Sequence, residues 1–221
     1  MDDSEILKHV DHTLLKSVSS WAEIQKLCEE ALQYGTASVC VPPSYVRRIH
    51  EAYGSQLVLC TVIGFPLGYN TREAKIFEAT QAVHEGAAEI DMVINLGDVK
   101  NGGYDAVREE ITALKHAVGE KILKVIVETC YLTEAEKIRL CQCVTEAGAD
   151  YIKTSTGFGS AGATLEDVEL FKKHLDPKVK IKAAGGIRSR EDMVRFLQAG
   201  ADRLGTSSAI KLLEEQISNQ Y

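Results

Sequence analysis

The sequence predicts a closed (β/α)₈ barrel, with residues 1–221 forming a single domain. Three observations lead there. Short apolar runs alternate with helical patterns from end to end. Eight such pairs share the chain, at roughly 28 residues per unit, enough for a βα repeat of modest size. The helices repeatedly close on Gly-Ala just before the next apolar run, a weak internal repeat with the period of one unit.

Strands are predicted at Val10–Leu15, Ala37–Val41, Leu57–Gly64, Glu89–Leu96, Lys121–Thr129, Tyr151–Thr156, Lys180–Ala184 and Arg203–Gly205. Helices are predicted between them, at Trp21–Tyr34, Tyr45–Tyr53, Arg72–Glu85, Tyr104–Val118, Glu134–Ala147, Leu165–His174, Arg190–Ala199 and Ser208–Ile217. Ser20-x-x-Glu23, Asn70-x-x-Glu73 and Thr133-x-x-Glu136 read as capping boxes, with Thr164-x-x-Asp167 and Ser189-x-x-Asp192 as looser versions. In each, a small polar side chain satisfies an orphan N–H and an acid sits near the positive helix end. Gly35, Gly86-Ala87, Gly148-Ala149 and Gly200-Ala201 close helices. Strict alternation implies parallel strands with helices outside. A doubly wound open sheet is the alternative, but Gly-x-Gly-x-x-Gly is absent after the first strand.

Composition excludes several classes. With 45% hydrophobic and 26% charged residues, the chain is not wholly disordered. A net charge of −7 argues against nucleic-acid binding, though not against a small anion held by backbone N–H groups. The acidic start Met1-Asp2-Asp3-Ser4-Glu5 lacks the pattern of a signal peptide, and the longest apolar run, Leu57 to Phe65, is broken by Thr61 and Gly64. A cytoplasmic protein without membrane contact is expected. Its six cysteines form no Cys-x-x-Cys pair, and most sit in apolar runs, as reduced core thiols do.

Side-chain direction alternates along a strand, and helices need an apolar outer sheet face. That register turns Asp91, Lys124, Lys153 and Lys182 inward from four neighbouring strands. A lone strand lysine is usually a solvated end or an ion-pair partner; four ionisable groups converging point to a functional cluster. One acid among three lysines is only partly paired, and excess positive charge lowers a lysine pKa, the requirement for an amine that attacks a carbonyl. Alternation does not choose between Lys153 and Lys182 as that amine.

The loops after the last strands carry a second signal. Gly157 follows Lys153-Thr154-Ser155-Thr156, Gly185-Gly186 follows Ala184, and Ser207-Ser208 opens the final helix. Glycine allows close backbone approach, hydroxyls donate, and a helix N-terminus favours an anion. Tight βα turns would look similar singly, but loops after strands seven and eight of such barrels often bind phosphate. Asp11 on the first strand, Cys40, Lys124 and Thr154 are further pocket candidates. The histidines show no chelating spacing, so neither a metal nor another cofactor is expected. No Gly-x-Ser-x-Gly elbow marks a serine hydrolase.

The motifs Asp11-His12-Thr13, Val39-Cys40-Val41-Pro42, Glu89-Ile90-Asp91-Met92-Val93, Lys124 through Thr129, Tyr151 through Gly157 and Ile181 through Arg188 resemble the deoxyribose-phosphate aldolases, over nearly the whole chain. The resemblance implies a class I aldolase that interconverts 2-deoxy-D-ribose 5-phosphate with acetaldehyde and D-glyceraldehyde 3-phosphate. It places the Schiff-base lysine on Lys153, the second lysine on Lys182 and the acid on Asp91. The implied partners are a phosphorylated sugar and aldehydes, with a homodimer or homotetramer as the assembly. In the implied mechanism the iminium on Lys153 is the electron sink for cleavage of the C3–C4 bond. Asp91 with a water relays protons, and the phosphate sits on Gly157, Gly185, Gly186, Ser207 and Ser208. Members of the family can end in a tyrosine that reaches the active site, which makes Tyr221 a candidate. Two rival readings are an imine-free isomerase of a sugar phosphate and a non-catalytic sugar-phosphate-binding protein.

Overall fold

Eight parallel strands pair in chain order, and the last returns to the first to close the barrel. The computed structural model describes residues 1–218, with side chains as far as Leu213. The strands are β1 (Val10–Thr13), β2 (Ser38–Val41), β3 (Leu59–Ile63), β4 (Glu89–Val93), β5 (Ile122–Ile126), β6 (Tyr151–Lys153), β7 (Lys180–Ala184) and β8 (Arg203–Thr206). The helices are α1 (Asp3–Leu7), α2 (Trp21–Tyr34), α3 (Val46–Tyr53), α4 (Arg72–His84), α5 (Leu96–Lys100), α6 (Tyr104–Val118), α7 (Glu134–Glu146), α8 (Leu165–His174), α9 (Arg190–Ala199) and α10 (Ala209–Ser218).

Helices α2 and α7 start in reciprocal capping boxes, Ser20 with Glu23 and Thr133 with Glu136. The proposed box at Asn70 is corrected: Thr71 adopts the extended cap conformation and its hydroxyl accepts the Ala74 N–H, leaving Asn70 one residue too early. Two short helices escape the periodicity reading because five residues carry no pattern. Helix α1 is capped by Asp2 and Glu5, and α5 by Asn95, whose side chain accepts from Gly97 N–H. Gly86 ends α4 at φ 113°, where an added Cβ would lie 2.4 Å from the His50 ring.

Several predicted strands run past the ladder. On β5 the overrun stops where Glu128 takes φ 54° and a 3₁₀ turn follows at Thr129–Tyr131. Strand β6 is only three residues long, and Lys153 is its last.

The apolar core is an annulus between strands and helices. Ile90, Met92, Leu123, Val125, Ile181 and Ala183 on the strands meet Ile24, Ile111, Leu114 and Phe171 on the helices. Each large side chain buried there contributes about 1.5–3 kcal/mol. Within the lumen, Cys40, Cys60 and Val62 form a small separate cluster against Leu15 and Phe65. All six cysteines are free. Burial pushes the Cys28 and Cys141 thiols up to about 12, so both stay protonated as small core residues. No helix among the described residues is long and apolar enough to cross a membrane.

Candidate active site

The ladder sets Asp91 beside Lys124 and Lys153 beside Lys182, and all four side chains enter the lumen as alternation predicts. Lys153 Nζ and Lys182 Nζ each donate to Asp91 Oδ2 at 2.7 Å. The other oxygen, Oδ1, accepts from Lys124 Nζ at 2.8 Å and from the Cys60 thiol at 3.1 Å.

The cluster is larger than the sequence reading. Asp11 lies 2.5 Å from Lys182 Nζ and 2.5 Å from the Arg203 guanidinium, and Ser38 Oγ donates to it at 2.7 Å. Glu89 pairs with Lys124 at 2.6 Å and with Arg203 at 3.1 Å. Three carboxylates therefore face four cations. Glu89 and Arg203 were legible in principle: Glu89 shares the parity of Asp91, and Arg203 stands beside Lys182 in the ladder.

This changes the electrostatics. Burial alone would raise the Asp91 carboxyl, but Lys124, Lys153 and Lys182 outweigh it and hold Asp91 well below the usual carboxylate range. Asp11 is lowered against its burial by Lys124, Lys182 and Arg203. Burial would lower Lys182, yet Asp11 and Asp91 raise it, and Lys124 is raised in the same way. The expectation that positive excess lowers a lysine pKa is thus corrected for Lys124 and Lys182, because Asp11 and Glu89 join the cluster.

Above these charges, at the C-terminal ends of β1, β6, β7 and β8, lies a cavity of about 300 Å³. Gly157, Gly185, Gly186, Ser207 and Ser208 all line it, and so does Lys153. Asp91, Lys124 and Lys182 are 0% exposed beneath it, and Lys153 is 3% exposed. The glycines at 157, 185 and 186 have φ of 87°, 77° and 75°, backbone conformations that glycine adopts without strain. Behind this wall, an added Cβ on Gly162 would lie 2.4 Å from the Gly185 carbonyl oxygen.

Four pocket candidates fall elsewhere. Asp11 and Lys124 are sealed in the charge cluster. Cys40 is buried against Cys60 and Val62. Thr154 is locked into the seam between β6 and β7: its hydroxyl donates to Ala184 C=O at 3.2 Å and accepts Ala184 N–H at 3.1 Å. Tyr221 lies outside the described residues. The sequence reading missed Thr13, Leu15, Lys16, Thr156 and Ile187, which line the cavity. Their signal is position alone: Thr13 ends β1, and the other four stand two or three residues beyond a strand end. His12 points out of the barrel, with Nε2 2.8 Å from Glu30 on α2. The acidic groups of Asp11 and Glu89, with Cys60, converge on one point, but the Lys124 ammonium occupies it.

A parallel barrel that presents one lysine at its C-terminal mouth, on a carboxylate shared with a second lysine, has the layout of a barrel enzyme, whose active site sits at that face. The family model described as "DeoC/LacD family aldolase" matches residues 5–212. A deoxyribose-phosphate aldolase of Clostridium botulinum (strain Alaska E43 / Type E3) is 62% identical over 221 residues, all of both chains. That of Clostridioides difficile (strain 630) is 54% identical over 216 residues, 98% of this chain and 99% of the relative. The solved structure titled "Unique tetrameric structure of deoxyribose phosphate aldolase from Aeropyrum pernix" superposes with a TM-score of 0.91 at 34% identity, covering 99% of this chain and 93% of the other. The chain belongs to the DeoC/LacD family of aldolases.

Proposed function

We propose that the chain cleaves 2-deoxy-D-ribose 5-phosphate reversibly to acetaldehyde and D-glyceraldehyde 3-phosphate, with Lys153 as the imine-forming amine. One observation carries the assignment: of the three clustered lysines, Lys153 alone lines the cavity. Glycines and hydroxyls on the same cavity suit the phosphate, and the names of the relatives supply the substrate.

The Lys153 amine adds to the C1 aldehyde, and uptake of one proton with loss of water gives a protonated imine. Carbon count corrects the cleaved bond: acetaldehyde carries off C1 and C2, so C2–C3 breaks, not C3–C4. The C3 hydroxyl loses its proton, the C2–C3 electrons flow to the iminium nitrogen, and glyceraldehyde 3-phosphate leaves an enamine. Protonation at C2 and hydrolysis release acetaldehyde and free Lys153. Lys182 is held as an ammonium by Asp11 and Asp91. Asp91, through a water, and Lys182 form the proton relay. The phosphate rests on Gly157, Gly185, Gly186, Ser207 and Ser208.

The barrel acts as one catalytic unit. A homodimer or homotetramer in the cytoplasm fits the tetrameric relative and the free cysteines. Borohydride trapping with acetaldehyde, followed by peptide mass mapping, tests the mechanism. A stable adduct on Lys153 is expected. An isomerase or a binding protein without imine chemistry gives none.

A further inference from the structure

Among the described residues, Glu128 is the non-glycine residue with positive φ, at 54° with ψ 66°. A side chain in that region is disfavoured, and such conformations persist where the surroundings impose them. Here the turn swings a carboxylate that is 3% exposed toward the loop after β6. One oxygen accepts the Thr156 N–H at 3.0 Å, and the other accepts the Thr156 hydroxyl in a very short bond. The Thr156 oxygen in turn accepts the Phe158 N–H at 3.0 Å. Two main-chain bonds lie alongside: Val127 N–H to Lys153 C=O at 3.0 Å and Thr129 N–H to Thr154 C=O at 2.9 Å. Gly159 completes the fit, since an added Cβ there would lie 3.1 Å from the Glu128 carboxyl carbon.

The segment so held, Thr156, Gly157 and Phe158, is one wall of the cavity that Lys153 lines. We propose that Glu128 is a positioning residue for substrate: its carboxylate fixes this wall and thereby sets affinity for the phosphorylated end. The inference rests on the sugar-phosphate reading above. A carboxylate is the group required, because both partners donate. Thr156 Oγ1 already accepts from Phe158, so its hydrogen must find an acceptor elsewhere. A glutamine of the same size offers one acceptor and one donor, and leaves a Thr156 donor competing for a single oxygen.

The test compares wild type, Glu128→Gln, Thr156→Val and the double variant. The readouts are KM for 2-deoxyribose 5-phosphate and for unphosphorylated deoxyribose, the rate of borohydride-trapped imine formation with acetaldehyde, and inorganic phosphate affinity by calorimetry. Glu128→Gln is expected to raise KM for the phosphorylated sugar about tenfold or more, as loss of a hydrogen bond to a charged group does. It weakens inorganic phosphate in parallel, with a much smaller change in acetaldehyde trapping. The double variant loses less than the product of the single losses. The inference is overturned if phosphate affinity and KM are unchanged. It is equally overturned if trapping and both substrates suffer alike, which marks a general loss of structure. Should Glu128→Gln not fold, Thr156→Val alone decides on the same readouts. A wild type that binds phosphate but cleaves nothing refutes the reaction assigned above and leaves the calorimetric arm to judge Glu128.

Discussion

Lys153 and Lys182 converge on a single oxygen of Asp91, each at 2.7 Å, yet they are held differently. Lys182 has a second anchor in Asp11 and is sealed from solvent, whereas Lys153 ends its strand at the cavity. The shared oxygen thus couples a fixed charge to an accessible amine.

Replacing that amine is the first test. Lys153→Ala is expected to reduce turnover to background and to abolish borohydride labelling. Circular dichroism should be unchanged, since the truncation falls at a cavity wall. Label recovered on Lys182 would reverse the roles of the two lysines.

Asp91 carries a stability prediction. Asp91→Asn removes the charge on which three buried lysines converge, a loss of about 3 kcal/mol or more. The carboxyl pKa is depressed in the fold, so its contribution is complete above the ordinary value of about 4 and fades as pH falls through the lower folded value. Lys124 and Lys182 are raised, so their contribution holds up to about pH 10 and is lost only above it. Urea midpoints should therefore separate wild type from variant by a constant gap between about pH 5 and 9, narrowing below about pH 4. A gap that widens on acidification would contradict the assignment.

Ser207→Asp places a carboxylate on the cavity wall where an anion is expected. KM for 2-deoxyribose 5-phosphate should rise at least tenfold, while kcat/KM for unphosphorylated deoxyribose changes little. Equal effects on both substrates would move the phosphate elsewhere.

Gly162→Ala probes the same wall from behind. The new methyl would press on the Gly185 carbonyl and the Gly186 nitrogen, neither of which can swing aside as a flexible side chain does. We expect a raised KM for the phosphorylated sugar and a lower melting temperature; an unchanged KM would detach this wall from phosphate binding.

Much of this arrangement is legible in the sequence. Alternation placed Asp91, Lys124, Lys153 and Lys182 inside because their neighbours Met92, Val125, Ile152 and Ala183 need the helices. Helix boundaries such as Trp21–Tyr34 followed from caps that act within four residues. What was hidden depends on non-local pairing. Asp11 and Arg203, at opposite ends of the chain, meet only because β8 closes on β1. Depth was hidden too: period two says which way Thr154 points, and not whether it stops at the seam or reaches the cavity. Glu128 shares the parity of Lys124, but its turn toward Thr156 is set by a backbone angle that no periodicity encodes.

The apolar annulus outside the lumen makes this barrel modular under mutation. On β4 to β7 the apolar side chains that pack on the helices lie on one face, and the charged side chains of the cluster lie on the other. A change at Val125 alters packing against the helices, and a change at its neighbour Lys124 alters the charge network of the lumen. Packing substitutions fall in the annulus, whereas a change among the lumen charges leaves a buried partner uncompensated.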